Sequence, residues 1–505
     1  MLSLYNINFK YLLYILSAIC GIEVLSFVAY LVPGFSNVIF FWVSFVFLVI
    51  GLIRLEFAFY ILLIELFIGS KGYLIYFEGD GLIMPIRIIF WLIFMGLWFS
   101  KILVPIIKKE KSYTESILFL KSNYFNYYVV LGLFVVIGIF NGYLNRNTLD
   151  DIFFDFNGWL YFLLVFPAYN VLLKKNRLNE LALVFASSML WISFKTYLIL
   201  YIFSHNFAFL SVVYKWIRTT GVGEITLVQD GFYRIFFQSH VFVLAAFFVV
   251  LASFASNVKF EKLKIKTLIG YILVSACLLS VIIITLSRSF WIGLIVGLSV
   301  FVYFEVFIFR CTLKEIIVNK VYLILIFVIS VLMIVSVMKF PYPQVAGNYS
   351  TTNSLVNRAK IQNGEDAVSS RWALLPELWQ KIDESVLVGG GFGTTVTYIS
   401  SDPRVQASSA IGSYTTYAFE WGWLDIWLKI GLFGLLAYLA LVGRILIDGL
   451  SYIRQHKNSR LVYGLFLSLI CVVIVSIFSP YFNHPLGIGL LITITILYDI
   501  IIHKV

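Results

Sequence analysis

The sequence is short of charge. Only 12% of its 505 residues are Asp, Glu, Lys or Arg, while 61% are hydrophobic and the mean hydropathy is +0.95. A soluble domain carries about 25% charged residues, and no water-soluble fold of this size hides so much apolar surface. Disorder is excluded as well, because disordered chains are poor in aromatic residues and this one has 18%. Cysteine is sparse: Cys20, Cys277, Cys311 and Cys471 each lie in or beside an apolar run, and no CxxC spacing exists. That gives no support to a disulfide framework or a zinc site. The five histidines (His205, His240, His456, His484, His503) are scattered. There is no internal repeat, heptad, low-complexity tract or soluble catalytic domain. What these absences leave is a membrane-embedded chain. Its net charge of +11 then points to basic cytoplasmic loops and not to nucleic acid.

Long apolar runs are what the sequence does have. Crossing the bilayer core takes about 20 apolar residues. Such runs fall near 11–31, 37–53, 55–68, 82–105, 127–142, 158–173, 181–204, 236–256, 267–286, 290–309, 321–338, 423–442, 461–479 and 486–502. The second and third are separated only by Arg54 and Glu56, and the third is short, so the range is 12–14. The first run is too long for a signal-peptide core and no cleavage site follows, so it is expected to be a retained helix. With fourteen spans and both termini cytoplasmic, every basic cluster falls on one side. These are Arg54; Lys108, Lys109 and Lys111; Lys174, Lys175 and Arg177; Lys259, Lys262, Lys264 and Lys266; Arg310, Lys314 and Lys320; Arg444, Arg454, Lys457 and Arg460; and Lys504. The expected organisation is an N-terminal helical region over 1–338, one large outer loop over 339–422 and C-terminal helices over 423–505.

The loop over 339–422 has no spanning run and nearly balanced charge, with six cations and seven anions. So long a loop is unusual unless functional. A short amphipathic helix is expected in it, capped by Ser369 or Ser370, with Trp372, Leu375, Trp379 and Ile382 at helical spacing and Pro376 kinking or delaying it. A second long outer loop covers about 205–234.

The outer side holds few cations, which makes each one a candidate anion ligand. In Ser287-Arg288-Ser289, Arg288 stands between two helices; it either snorkels or binds an anion, for which guanidinium offers bidentate contact. Arg371 in Ser370-Arg371-Trp372 precedes the run Gly389-Gly390-Gly391-Phe392-Gly393. That run lacks the Lys-Ser/Thr of a nucleotide phosphate loop, and on its own it reads as a flexible turn, although backbone amides near Arg371 could also face a substrate. Glu420, in Phe419-Glu420-Trp421-Gly422, stands where the loop re-enters the membrane. Desolvation there would raise its pKa and suit a general base; the alternative is an interfacial carboxylate facing water. Arg234 is placed at the outer edge of a helix, with His240 just inside as a ligand or, more commonly, a packing residue. Lys195 and Lys429 interrupt apolar runs and need partners, Glu65 or a lipid phosphate. Asp150, Asp151 and Asp155 read as a solvated acidic loop more readily than as a metal site.

Taken together, these landmarks resemble the bacterial O-antigen ligase and O-antigen polymerase family. The resemblance is best over 267–441. It rests on the Ser287-Arg288-Ser289 hairpin, the helix from Arg371 to the turn ending at Gly393, and the re-entry helix with Gly431 and Gly434; stretches 142–167 and 231–240 are fainter matches. It implies an all-α polytopic integral membrane protein of 12–14 helices with one large periplasmic loop, akin to the C-type glycosyltransferases. It implies no cofactor or metal, and a site facing the periplasm of a bacterial inner membrane. The substrate would be an undecaprenyl-pyrophosphate-linked oligosaccharide amid membrane lipids, with a chain-length regulator protein as an open partner. Arg288 and Arg371, with Arg234, would hold the pyrophosphate. Glu420 would act as base, Trp372, Tyr398 and Tyr414 would stack on sugar, and His240 and Arg404 would contact substrate. In ligases a His occupies the place, eleven residues before Gly431, that Glu420 takes here. This favours the polymerase branch over a ligase. A lipid-linked oligosaccharide flippase is the reading of another class, and the long outer loop argues against it.

Overall fold

Within a bilayer, every backbone N–H and C=O has to be satisfied inside the chain, and a helix does so locally. The computed structural model makes each apolar run largely helical. It describes residues 9–32, 34–79, 81–107, 117–173, 177–205, 207–229, 232–260, 264–343, 366–400, 405–406 and 412–503. In chain order the helices and strands are α1 (Phe9–Leu31), α2 (Phe35–Ile53), α3 (Leu55–Ile68), β1 (Tyr76–Gly79), β2 (Leu82–Pro85), α4 (Ile86–Ile107), α5 (Phe125–Leu144), α6 (Leu149–Phe156), α7 (Val165–Leu172), α8 (Arg177–Ser204), α9 (Leu210–Thr219), β3 (Gly223–Gln229), β4 (Phe232–Phe237), α10 (His240–Phe260), α11 (Ile265–Ile284), α12 (Arg288–Tyr303), α13 (Leu313–Met338), α14 (Asp366–Asp383), β5 (Val396–Ile399), β6 (Ser413–Thr416), α15 (Gly422–Gln455), α16 (Arg460–Phe478) and α17 (Pro485–Tyr498). A 3₁₀ stretch, Asn157–Leu164, joins α6 to α7, and a π-helical turn, Phe304–Ile308, continues α12. Among the described residues twelve helices are long and apolar enough to cross a membrane. The protein is an all-α, multi-pass membrane protein.

Three antiparallel hairpins, β1–β2, β3–β4 and β5–β6, punctuate the helices. The sequence reading missed them. β2 lies inside an apolar run and passes directly into α4, and β4, Phe-Tyr-Arg-Ile-Phe-Phe, is too apolar to break the run that follows it. Arg234 therefore sits in a strand, opposite Thr226, and not at a helix edge. The second long loop expected from the sequence, over about 205–234, carries α9 and β3.

The chain divides into two compact units. The first comprises residues 1–118, 166–355 and 453–468. In it α3, at 14 residues, is too short for the hydrocarbon core of about 30 Å and is surrounded by protein. Its buried Glu65 is bidentate to Arg87, at 2.7 Å and 3.0 Å. Lys195 of α8 is likewise buried, 2.6 Å from Glu23 of α1, with the Trp216 ring beneath it at 4.8 Å. Lys195 thus pairs with Glu23, not with Glu65. A cation and an anion closed against each other are how a membrane helix accommodates charge.

The second unit comprises residues 119–165, 356–452 and 469–505. Its centre is aromatic: Trp159, Phe162, Trp423 and Phe482 pack around the buried ring of Tyr438, whose hydroxyl donates to the Phe482 carbonyl at 2.9 Å. Such ring pairs contribute about 0.5–1.5 kcal/mol each beyond the area they bury.

Candidate active site

In the second unit, α14 lies across the start of α15. It begins at Asp366, so Ser370 is inside the helix and not its cap, and Pro376 is accommodated in its interior. The buried stripe is Leu374, Leu378 and Ile382, joined by Val396, Phe419 and Leu428. Trp372 and Trp379, expected on this stripe, flank it instead, each against a tryptophan of the re-entry segment: Trp372 on Trp421 at 5.6 Å and Trp379 on Trp427 at 5.5 Å. Trp421 Nε1 donates to the Arg371 carbonyl at 3.1 Å, and Trp427 Nε1 to the Val386 carbonyl at 2.9 Å. This lattice fixes the backbone of Arg371 beside Glu420. Their side chains form an ion pair, with Arg371 40% and Glu420 50% exposed. The desolvation expected at Glu420 is therefore absent: the carboxylate meets both solvent and a guanidinium. Trp372 is 60% exposed and Tyr398 faces Tyr414 across the β5–β6 ladder, rings 5.9 Å apart. Arg404 lies outside the described residues.

Beneath this rim the glycine run is fastened on every side. Gly389, Gly391 and Gly393 all have positive φ, which glycine adopts without steric cost. Phe392 N donates to the Gly138 carbonyl of α5, and Asn141, Asn145 and Asn147 donate to the carbonyls of Val388, Gly390 and Phe392 at 2.8–3.0 Å. A side chain on Gly391 would run into the backbone of Gly142. The turn is thus rigid, not flexible. Its amides are also engaged within the protein: Gly390 N donates to Leu428 O and Gly393 N to Asp155 Oδ2. They do not serve as an anion cradle.

Lys429 knots this floor together. Its ammonium, 1% exposed, pairs with Asp155 of α6, approaches Asp425 at 3.9 Å and donates to the carbonyls of Tyr417 at 2.7 Å and Thr394 at 3.3 Å. Neither Glu65 nor a lipid phosphate is its partner, and Asp155 is not part of a solvated loop. Asn483 donates to Asp425. Among the described residues no group of three or more metal-ligating side chains occurs. The three asparagines and the Asp155–Lys429 link were missed in the sequence. Asn141 and Asn145, four apart on one helix face, were the available signal.

In the first unit, Arg288 opens α12 directly after a tight corner in which Leu286 has φ +45°. Arg234 holds that corner: its Nε donates to the Thr285 carbonyl at 3.0 Å, its guanidinium lies 3.8 Å from Glu224 and over the Phe236 ring at 5.0 Å, and Phe236 packs edge-on to Phe290. Arg234 and Arg288 are thereby brought to one corner. His240 is not. It is wholly buried, accepting at Nδ1 from Phe237 N at 3.1 Å and bonded at Nε2 to Thr196 Oγ1 at 2.9 Å. With both ring nitrogens used and no solvent access, it fastens the hairpin to α8, which corrects its assignment as a substrate ligand.

The half-exposed Arg371–Glu420 pair and the Trp372–Trp421 faces form one rim within the second unit, and Arg234 and Arg288 belong to the first. The family model described as O-antigen ligase matches residues 273–439, a stretch that includes Arg288, Arg371, Glu420 and Lys429 and stops short of Arg234. Over this stretch the chain is similar to the family that carries that description. No curated protein and no solved structure matches the chain.

Proposed function

We propose that the protein is a surface-polysaccharide polymerase. It transfers a growing glycan from undecaprenyl pyrophosphate to the non-reducing-end sugar of a lipid-linked repeat unit, on the periplasmic face of a bacterial inner membrane, with both termini cytoplasmic. The observation that carries the reading is the half-exposed Arg371–Glu420 pair, held by a tryptophan lattice at the rim of the family domain. A pyrophosphate offers Arg371 a more highly charged, bidentate partner than one carboxylate does. Donor binding would draw the guanidinium away and leave Glu420 beside the acceptor. The acceptor hydroxyl then attacks the anomeric carbon from the face opposite the leaving group. Its proton passes to Glu420, the bond from that carbon to the phosphate oxygen breaks, and the configuration inverts. Arg371 and Arg288 neutralise the charge that develops on the departing lipid pyrophosphate, so this route uses no metal. Arg234 acts through Arg288 by fixing its corner. Trp372, Tyr398 and Tyr414 offer sugar-stacking faces, and Arg404 is a further substrate contact of this proposal.

A ligase of the same family is the second reading, favoured by the description of the matching family model. Glu420 at the place of a histidine speaks for the polymerase. The deciding experiment is a reaction of purified protein with defined lipid-linked repeat units. Ladders of increasing length are expected. Arg288→Ala and Arg371→Ala should abolish them at normal protein level, and long chains from both variants would sink the assignment. A Glu420→Gln variant that polymerises at the wild-type rate would remove the base.

A further inference from the structure

The segment from α9 to β4, all within the first unit, holds an arginine and a carboxylate that the function proposed above does not use. Helix α9 buries Val213, Trp216 and Ile217, and the Trp216 indole donates to Ser26 Oγ of α1 at 3.1 Å. With that face anchored, Arg218 stands in the last turn, where the helix dipole favours a cation, and its side chain is 34% exposed. The chain turns at Gly221, φ +60°, and β3 brings Glu224 back beside it. One carboxylate oxygen of Glu224 lies 3.3 Å from Arg218 and the other 3.8 Å from Arg234. Glu224 thus spans two guanidinium groups, one carried on α9 and one on β4.

Two guanidinium groups facing one oxygen each is also how arginines hold a phosphate. The carboxylate is a weak occupant of that place. Two cations share it, it is 50% exposed, and exposed ion pairs contribute little. A third cation adjoins the turn, because the Lys71 stem lies against Gly221, within 3.2 Å of where a Cβ would be. Arg234 is fixed at its other edge: Nε donates to the Thr285 carbonyl at the corner from which Arg288 opens α12, while Nη1 faces Glu224. We infer that Arg218 and Arg234 form a further holding point for the phosphate-bearing end of the lipid donor, and that Glu224 is the internal anion which the donor displaces. The inference rests on the donor proposed above. It gives Glu224 a selective role. An anion has to carry more charge than a carboxylate to take its place, which admits a pyrophosphate and disfavours the singly charged phosphodiesters of bulk phospholipid.

The test measures binding of farnesyl pyrophosphate to the full-length protein in phosphatidylcholine nanodiscs. Arg218→Gln should weaken binding about tenfold, the worth of one hydrogen bond to a charged group. Glu224→Gln, which keeps shape and releases both guanidinium groups, should tighten it by up to about fivefold, the worth of an exposed ion pair. Phosphatidylglycerol added to the discs should then cost E224Q more affinity than it costs the wild type. If E224Q binds no tighter than the wild type, Glu224 only positions Arg234 and the inference falls. It falls too if R218Q binds as the wild type does. Should R218Q fail to fold, the sign of the E224Q effect decides alone. Loss of the variant effects with wild-type binding intact overturns this inference and leaves the donor reading standing, whereas a wild type that does not bind the probe removes both.

Discussion

Lys429 and Arg371 belong to the same unit, and each is ion-paired to a carboxylate, but their surroundings differ. Lys429 is sealed, shares its charge between Asp155 and Asp425, and reaches two backbone carbonyls besides. Arg371 keeps 40% of its side chain exposed and pairs with a carboxylate that is 50% exposed. A buried ion whose partner is removed is stranded, whereas an exposed pair contributes little to stability and is screened. The floor is thus built to stay together and the rim to exchange partners.

The comparison can be broken at several points. The largest effect is expected at Lys429→Met, which strands Asp155 and Asp425. A loss of about 3–5 kcal/mol should leave little folded protein by size-exclusion yield, and adding Asp155→Asn should restore part of it. A stable K429M would show that the floor is not held by charge. Gly391→Ala comes next. Its φ of +87° disfavours a side chain by about 1–2 kcal/mol, and the methyl would also press on Gly142. A clear drop in melting temperature is expected, with activity falling in step. Arg371→Ala sharpens the contrast from the other side. Polymer synthesis should fall by at least about 100-fold, while stability changes by no more than about 1 kcal/mol; unfolding of this variant would make Arg371 part of the scaffold. The smallest effect is expected at Trp372→Ala. KM for the lipid-linked unit should rise by about tenfold at most with kcat nearly kept.

Much of the fold was legible because hydrophobic length is a local property. The run over 55–68 coincides with α3 to the residue. What was not legible depended on distant partners. For Lys195 the sequence offers Glu65 or a lipid phosphate, whereas its partner Glu23 lies 172 positions away and only the packing of α1 on α8 brings them together. On the buried face of α14, Ile382 lies as expected, but Leu374 and Leu378 take the places expected of Trp372 and Trp379, which are apolar enough to look like core. At the site, the sequence pointed to Arg371 and Glu420 separately but not to their pairing, since 48 residues and a hairpin intervene. For His240, residue type said nothing about its two bonded nitrogens.

Gly431 breaks α15 at φ +72°, and the large loop repairs the break. Leu432 N donates to the Val386 carbonyl at 2.9 Å, and Gly390 N donates to the Leu428 carbonyl at 2.8 Å. Non-helical backbone at membrane depth is tolerated only where protein covers it, and here the cover is the loop itself. For anyone grafting this loop between related enzymes, the seam is consequently not the membrane surface at Gly422. The exchangeable cassette extends to Gly431 or beyond, and a graft cut earlier would carry away the strand of backbone that keeps its host's helix closed.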